Sequence, residues 1–201
     1  MDKATEATLG AIRAFVKTRF RESGSHGYDH TLRVARLCEI LGGREGADPA
    51  VLLPAALLHD IARPAEAATG IPHEIEGARI AGDFLRELSY DDGHITAIVH
   101  AVATHRYRSD AKPATLEAMI LSDADKLDAM GATGIARTFM QAGETGGDIR
   151  DARDHILDKL LNLQDRMYTE SARELAERRH QVLEWFVRAL DEETAAGAFR
   201  D

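Results

Sequence analysis

The stretch 50–62 constrains the fold most. It is apolar nearly all round, which as a helix marks a central element surrounded by others. Asp48-Pro49 supplies its start, an N-cap followed by proline at the first helical position. Yet the run Leu57-Leu58-His59-Asp60-Ile61 puts a His-Asp pair at the end of this segment. A carboxylate buried there without a partner either costs several kcal/mol or is neutralised by a raised pKa. The chain must therefore bring polar partners to the end of its most apolar helix.

The rest of the chain reads as further helices. Ile12, Phe15, Val16, Arg19 and Phe20 form a stripe at three- and four-residue spacing, and His30, Val34, Leu37 and Leu41 form another, ending at Gly42-Gly43 as a C-cap. Pro64 and Pro72 bracket a loop. Helices are expected over 73–88, 92–107, 114–130, 135–141, 150–168 and 169–194. No stretch alternates with period two for long enough to make a strand. The expectation is an all-α, single-domain helical bundle over 1–201, with a polar core at about 26–130 and C-terminal helices at about 148–195 packing on it.

A length of 201 residues suits one domain. One cysteine excludes an internal disulfide framework and fits a reducing compartment. The N-terminal stretch 1–9 is polar and charged, unlike a signal peptide, so a cytoplasmic location is expected. No apolar run is long enough to span a bilayer. With 25 Lys+Arg against 34 Asp+Glu and few aromatics, the chain is a poor match for a nucleic-acid backbone. A small phosphorylated ligand stays open, because a bound cation can supply positive charge locally.

Several polar residues occupy inward positions on different helices. His30 stands where Val or Leu is expected, Asp125 follows Leu121 by one turn, His105 closes the stripe Ile95, Ile98, Val102, and His73 opens the stripe Gly77, Ile80, Phe84. Each alone reads as a hydrogen-bonded core residue. Together with His59 and Asp60 they suggest one shared centre that a divalent metal would satisfy.

These blocks resemble the HD superfamily of metal-dependent phosphohydrolases. The match lies in Gly27-Tyr28-Asp29-His30, in Leu57-Leu58-His59-Asp60 and in Asp123-Ala124-Asp125-Lys126-Leu127-Asp128, in the order H…HD…D. The resemblance implies a metal site in the bundle core, with His30, His59, Asp60 and Asp125 ligating one divalent ion. The ligand set does not distinguish Mn, Fe, Co, Ni, Zn or Mg. Dinuclear relatives carry two more histidines in contexts like His73-Glu74 and His105-Arg106, so one metal is expected and two are permitted. The other role for His73 and His105 is to donate hydrogen bonds to a substrate phosphate; a third reading leaves His73 exposed to solvent.

The implied activity is hydrolysis of a nucleotide or related small phosphate ester or anhydride by metal-activated water. Asp60, Lys126 and Asp128 are the catalytic candidates, and Arg33 and Arg106, with His73 and His105, the substrate-binding ones. Arg63, Arg79 and Arg137 are weaker candidates. His26 and Asp29 stand where they could fix an imidazole. The alarmone hydrolases carry acidic residues just after the HD pair; here Ile61, Ala62, Arg63 and Pro64 follow it, which argues against that reaction. Two alternatives remain: a di-iron HD-type oxygenase, and a non-catalytic nucleotide-binding regulatory module. The implied partners are a small phosphorylated substrate and, in a homo-oligomer, a second copy of the chain.

Overall fold

The computed structural model describes residues 3–20, 27–107 and 111–197. Among these residues all regular structure is helical: α1 (Lys3–Lys17), α2 (Tyr28–Glu45), α3 (Pro49–Leu58), α4 (Arg63–Thr69), α5 (His73–Glu87), α6 (Asp92–Thr104), α7 (Leu116–Asp128), α8 (Gly131–Glu144), α9 (Ile149–Asp158) and α10 (Glu170–Gly197). The all-α expectation holds. No helix among the described residues is long and apolar enough to cross a membrane. The backbone divides into two compact units, 1–125 and 126–201, with the boundary inside α7.

In the first unit α3 is the hub, packing against α1, α2, α5 and α6. Every residue from Val51 to Leu58 is buried, and Asp48 caps the helix by accepting from Ala50 N at 2.8 Å. Gly42 belongs to this packing. A Cβ there would lie 2.5 Å from Leu52 Cδ2, so the glycine lets α2 approach α3. The helix therefore runs on past the expected cap at Gly42-Gly43 and ends at Gly46, whose φ of 77° is the left-handed conformation that closes a helix. Pro54, inside α3, has no N–H to give the carbonyl of Ala50. The Tyr90 hydroxyl supplies the missing donor at 2.7 Å.

Two expected boundaries moved for a shared reason. The helix expected over 50–62 stops at Leu58, and the segment between Pro64 and Pro72, expected as a loop, contains α4. Pro64 cannot donate to Asp60 O, and here, unlike at Pro54, the α-helix is interrupted. The chain instead tightens into i→i−3 bonds, Ile61 N to Leu58 O at 3.1 Å and Arg63 N to Asp60 O at 2.9 Å. Pro64 then sits in the first turn of α4, where its lack of an N–H costs nothing. His59 and Asp60 thus lie in the turn between two helices.

The second unit packs α10 on α8 and α8 on α9. Phe139 and Phe186 meet edge to face, with centroids 5.7 Å apart. The helix expected over 150–168 ends at Asp158 and gives way to 3-10 turns at Leu160–Asn162 and Gln164–Arg166. The helix expected at 135–141 begins earlier, at Gly131, which has φ of 66°. Gly134 passes so close to the backbone of Ala129 that a Cβ there would collide with its carbonyl.

Candidate metal centre

The first unit gathers its inward polar residues at the ends of its helices. His30 lies in the first turn of α2, His59 caps α3, Asp60 follows it, His73 opens α5, His105 caps α6, and Asp125 lies on α7. All six side chains converge. His30 Nε2 is 3.5 Å from Asp60 Oδ2, 3.4 Å from Asp125 Oδ1 and 3.3 Å from His59 Nε2. Asp60 Oδ1 lies 3.2 Å from His73 Nε2 and 3.6 Å from His105 Nε2. The imidazoles and Asp60 are buried, whereas the side chain of Asp125 is 27% exposed.

The hydrogen bonds behind the rings determine what the rings present. A ring nitrogen hydrogen-bonded to a carbonyl or carboxylate is the donor, and a neutral ring has only one proton to give. His59 Nδ1 donates to Ala56 O at 2.8 Å, His105 Nδ1 to Val102 O at 2.7 Å, and His73 Nδ1 to Glu66 Oε2 at 2.9 Å. When such a ring is neutral its Nε2 is a lone pair aimed at the other ligand atoms, whereas a hydrogen bond from Nε2 of His73 or His105 to Asp60 requires the protonated ring. Such a set of nitrogen and oxygen lone pairs is self-repelling unless a cation sits among them. It fits a divalent metal by its chemistry as well as its geometry. Donor atoms of His30, His59 and Asp125, and of His59, Asp60 and His105, form two groups whose members all lie within 4.8 Å of one another.

The electrostatics agree. Burial pushes the pKa of His59 down to about 4, favouring the neutral ligand form. Burial alone would raise Asp60 and Asp125, but the surrounding imidazoles hold both well below the usual carboxylate range. Burial depresses His105, but the hydrogen bond to Asp60, the charges of Asp60 and Asp125 and the bond to Val102 together outweigh it and raise this imidazole, which favours its protonated form while no cation is bound.

Other candidates have different surroundings. Arg33 pairs with Asp29 at 2.5 Å, one turn apart on α2. Arg106 donates to Glu66 at 2.9 Å and to Glu74 at 3.0 Å. Within the second unit, Lys126 Nζ donates to Arg166 O at 3.0 Å and lies 4.4 Å from the centroid of the Tyr168 ring. There too Asp128 accepts from Arg137 at 2.8 Å. His26 lies outside the described residues. Sequence reasoning passed over Glu66 and Glu74, although Glu74 is 6% exposed. An acid next to His73 was the available signal for Glu74; Glu66 had none, because its helix was read as a loop.

Comparison with known proteins places this geometry in a family. Residues 27–130 match the HD domain model. YpgQ of Bacillus subtilis is 36% identical over 192 residues, spanning 90% of this chain and 91% of YpgQ. Its crystal structure in complex with ADP superposes with a TM-score of 0.75 at 34% identity, over 92% of this chain and 97% of that one. A predicted HD superfamily hydrolase from an uncultured Thermotogales bacterium matches with a TM-score of 0.72 at 32% identity, covering 92% of each chain. Ribonuclease Y of Chloroflexus aurantiacus is 35% identical over 58% of this chain but only 21% of its own length. Both the matched segment and the full-length likeness to YpgQ carry one conclusion: the chain belongs to the HD superfamily of metal-dependent hydrolases.

Proposed function

We propose that the chain is a phosphohydrolase acting on a nucleotide or a related small phosphate ester or anhydride, with His30, His59, Asp60 and Asp125 holding a divalent metal. The observation that carries this reading is the convergence of Nε2 atoms on Asp60 and His30 from three histidines whose Nδ1 atoms are already bonded. The nucleotide class is supported by the relative crystallised with ADP. A divalent ion supplies a Lewis acid for a phosphoryl oxygen and lowers the pKa of water. The protein's own part is to hold Asp60 between the imidazoles and, by burial, to keep His59 neutral. Arg33, one turn along α2 from His30, is assigned to the phosphate oxygens, whose developing charge a fixed cation stabilises. Asp60, Lys126 and Asp128 are the residues assigned to catalysis.

The test is to strip the protein with chelator, restore Mn, Co, Ni or Zn singly, and assay phosphate or pyrophosphate release from a nucleotide panel. Asp60→Ala is expected to lose both metal retention and turnover. Full turnover by chelated Asp60→Ala overturns the assignment. The approach of His73 and His105 to Asp60 also favours a second reading, a di-iron oxygenase. Two irons per chain with oxygen uptake would establish it; one non-iron metal per chain would remove it.

A further inference from the structure

His73 differs from the other imidazoles in how its far nitrogen is held. His59 and His105 stand at helix C-termini, where a carbonyl three residues back is within reach, and each uses it. His73 is the first residue of α5, an end that exposes N–H groups and offers no such carbonyl. Its acceptor must come from elsewhere. Glu66 of α4 provides it: Oε2 accepts from Nδ1 at 2.9 Å, and Oε1 lies 3.4 Å from the backbone N of His73. Glu74 Oε2 is also close, 3.6 Å from Nδ1.

Glu66, His73 and Glu74 could by themselves be taken for a cation site. The cation is already present, because one nitrogen of Arg106, NH1, lies 2.9 Å from Glu66 and 3.0 Å from Glu74. The guanidinium holds two acids together that would otherwise repel, and keeps Glu66 available to His73. A separate contact bears on the state of the ring. Arg63 Nη1, a donor, lies 3.3 Å from His73 Nε2 and favours a lone pair there, against the pull of Asp60 Oδ1 at 3.2 Å.

We propose that Glu66 and Arg106 are positioning residues: Arg106 braces Glu66, Glu66 accepts the Nδ1–H hydrogen bond of His73, and Nε2 is thereby held as a lone pair for a cation shared with Asp60 Oδ1. His73 is in consequence a ligand donor to a cation beside Asp60 and not a hydrogen-bond donor to substrate. This rests on the metal-centre reading above. It adds that the clamp between α4, α5 and the end of α6 determines what His73 can do.

Long-range proton–nitrogen correlation NMR on histidine-labelled, chelator-treated protein reads the tautomer directly, with no need for turnover. His73 is expected to be Nδ1-protonated in the wild type. In Glu66→Leu that signature is expected to disappear, and in Glu66→Gln, whose amide oxygen can still accept, to remain. Manganese titration followed by EPR is expected to show affinity weaker by about 10–100-fold in Glu66→Leu. If Glu66→Leu does not fold, Arg106→Met serves, with the same direction expected. An Nε2-protonated His73 in the wild type, or unchanged manganese affinity in a folded Glu66→Leu protein, overturns the proposal. A wild type with the expected tautomer and manganese affinity but no phosphohydrolase activity would defeat only the assigned reaction.

Discussion

The Nε2 atoms of His30 and His59 lie 3.3 Å apart in the buried end of the first unit, while His59 Nδ1 is bonded to Ala56 O. His59 therefore meets His30 with a lone pair. Such a contact is tolerable only with a cation or a proton between the rings. A divalent cation bound here would therefore add to the stability of this end of the fold.

Chelation is expected to lower the melting temperature, and adding back a divalent metal to restore it. A ligand at about a hundred times its Kd contributes roughly 2.7 kcal/mol. Differential scanning fluorimetry with and without chelator measures this. An unchanged Tm in protein whose metal loss is verified by elemental analysis contradicts it.

Tyr90→Phe removes the hydroxyl that satisfies the Ala50 carbonyl left open by Pro54. A loss of about 1 kcal/mol in urea unfolding is expected. Adding Pro54→Ala returns a backbone donor to that carbonyl, so the tyrosine substitution is expected to cost less in the double variant than alone.

Gly134→Ala places a methyl group against the backbone of Ala129, which cannot rotate away as a side chain can. Gly131→Ala forces a non-glycine residue to φ of 66° and costs about 1–2 kcal/mol. The first is expected to be the more damaging, by soluble yield and by denaturant midpoint. Equal yields and midpoints would show that α8 shifts at little cost.

Cys38 is buried, and burial pushes its thiol pKa far above the ordinary value of 9.0. The native thiol is expected to resist Ellman's reagent at about pH 8 and to react on unfolding. The raised pKa also has a sign in stability. Above pH 9.0 the unfolded chain releases a proton that the folded chain keeps, so this contribution is full below pH 9.0 and declines as pH rises beyond it. Cys38→Ala is expected to show a shallower alkaline loss of stability than the wild type.

Much of this protein was legible in its sequence because helix periodicity and ligand chemistry are local. The apolar run 50–62 announced a central helix, and His30, His59-Asp60 and Asp125 on inward faces announced a shared centre, because taken together they are more than separate hydrogen-bonded core residues. The helix limits around His59 were not legible, because Pro64 acts on a carbonyl four residues back and turns an apparent continuation into a turn and a new helix. Nor was the clamp on His73. Glu66 lies seven residues away and Arg106 a further 33 beyond His73, and no periodicity links them. Residue types and spacing thus determined by themselves that this chain is helical and gathers imidazoles and carboxylates. Only the tertiary structure decided which nitrogen of each ring faces inward, because a tautomer is set by the acceptor packed behind the ring, and that acceptor comes from wherever the fold brings it.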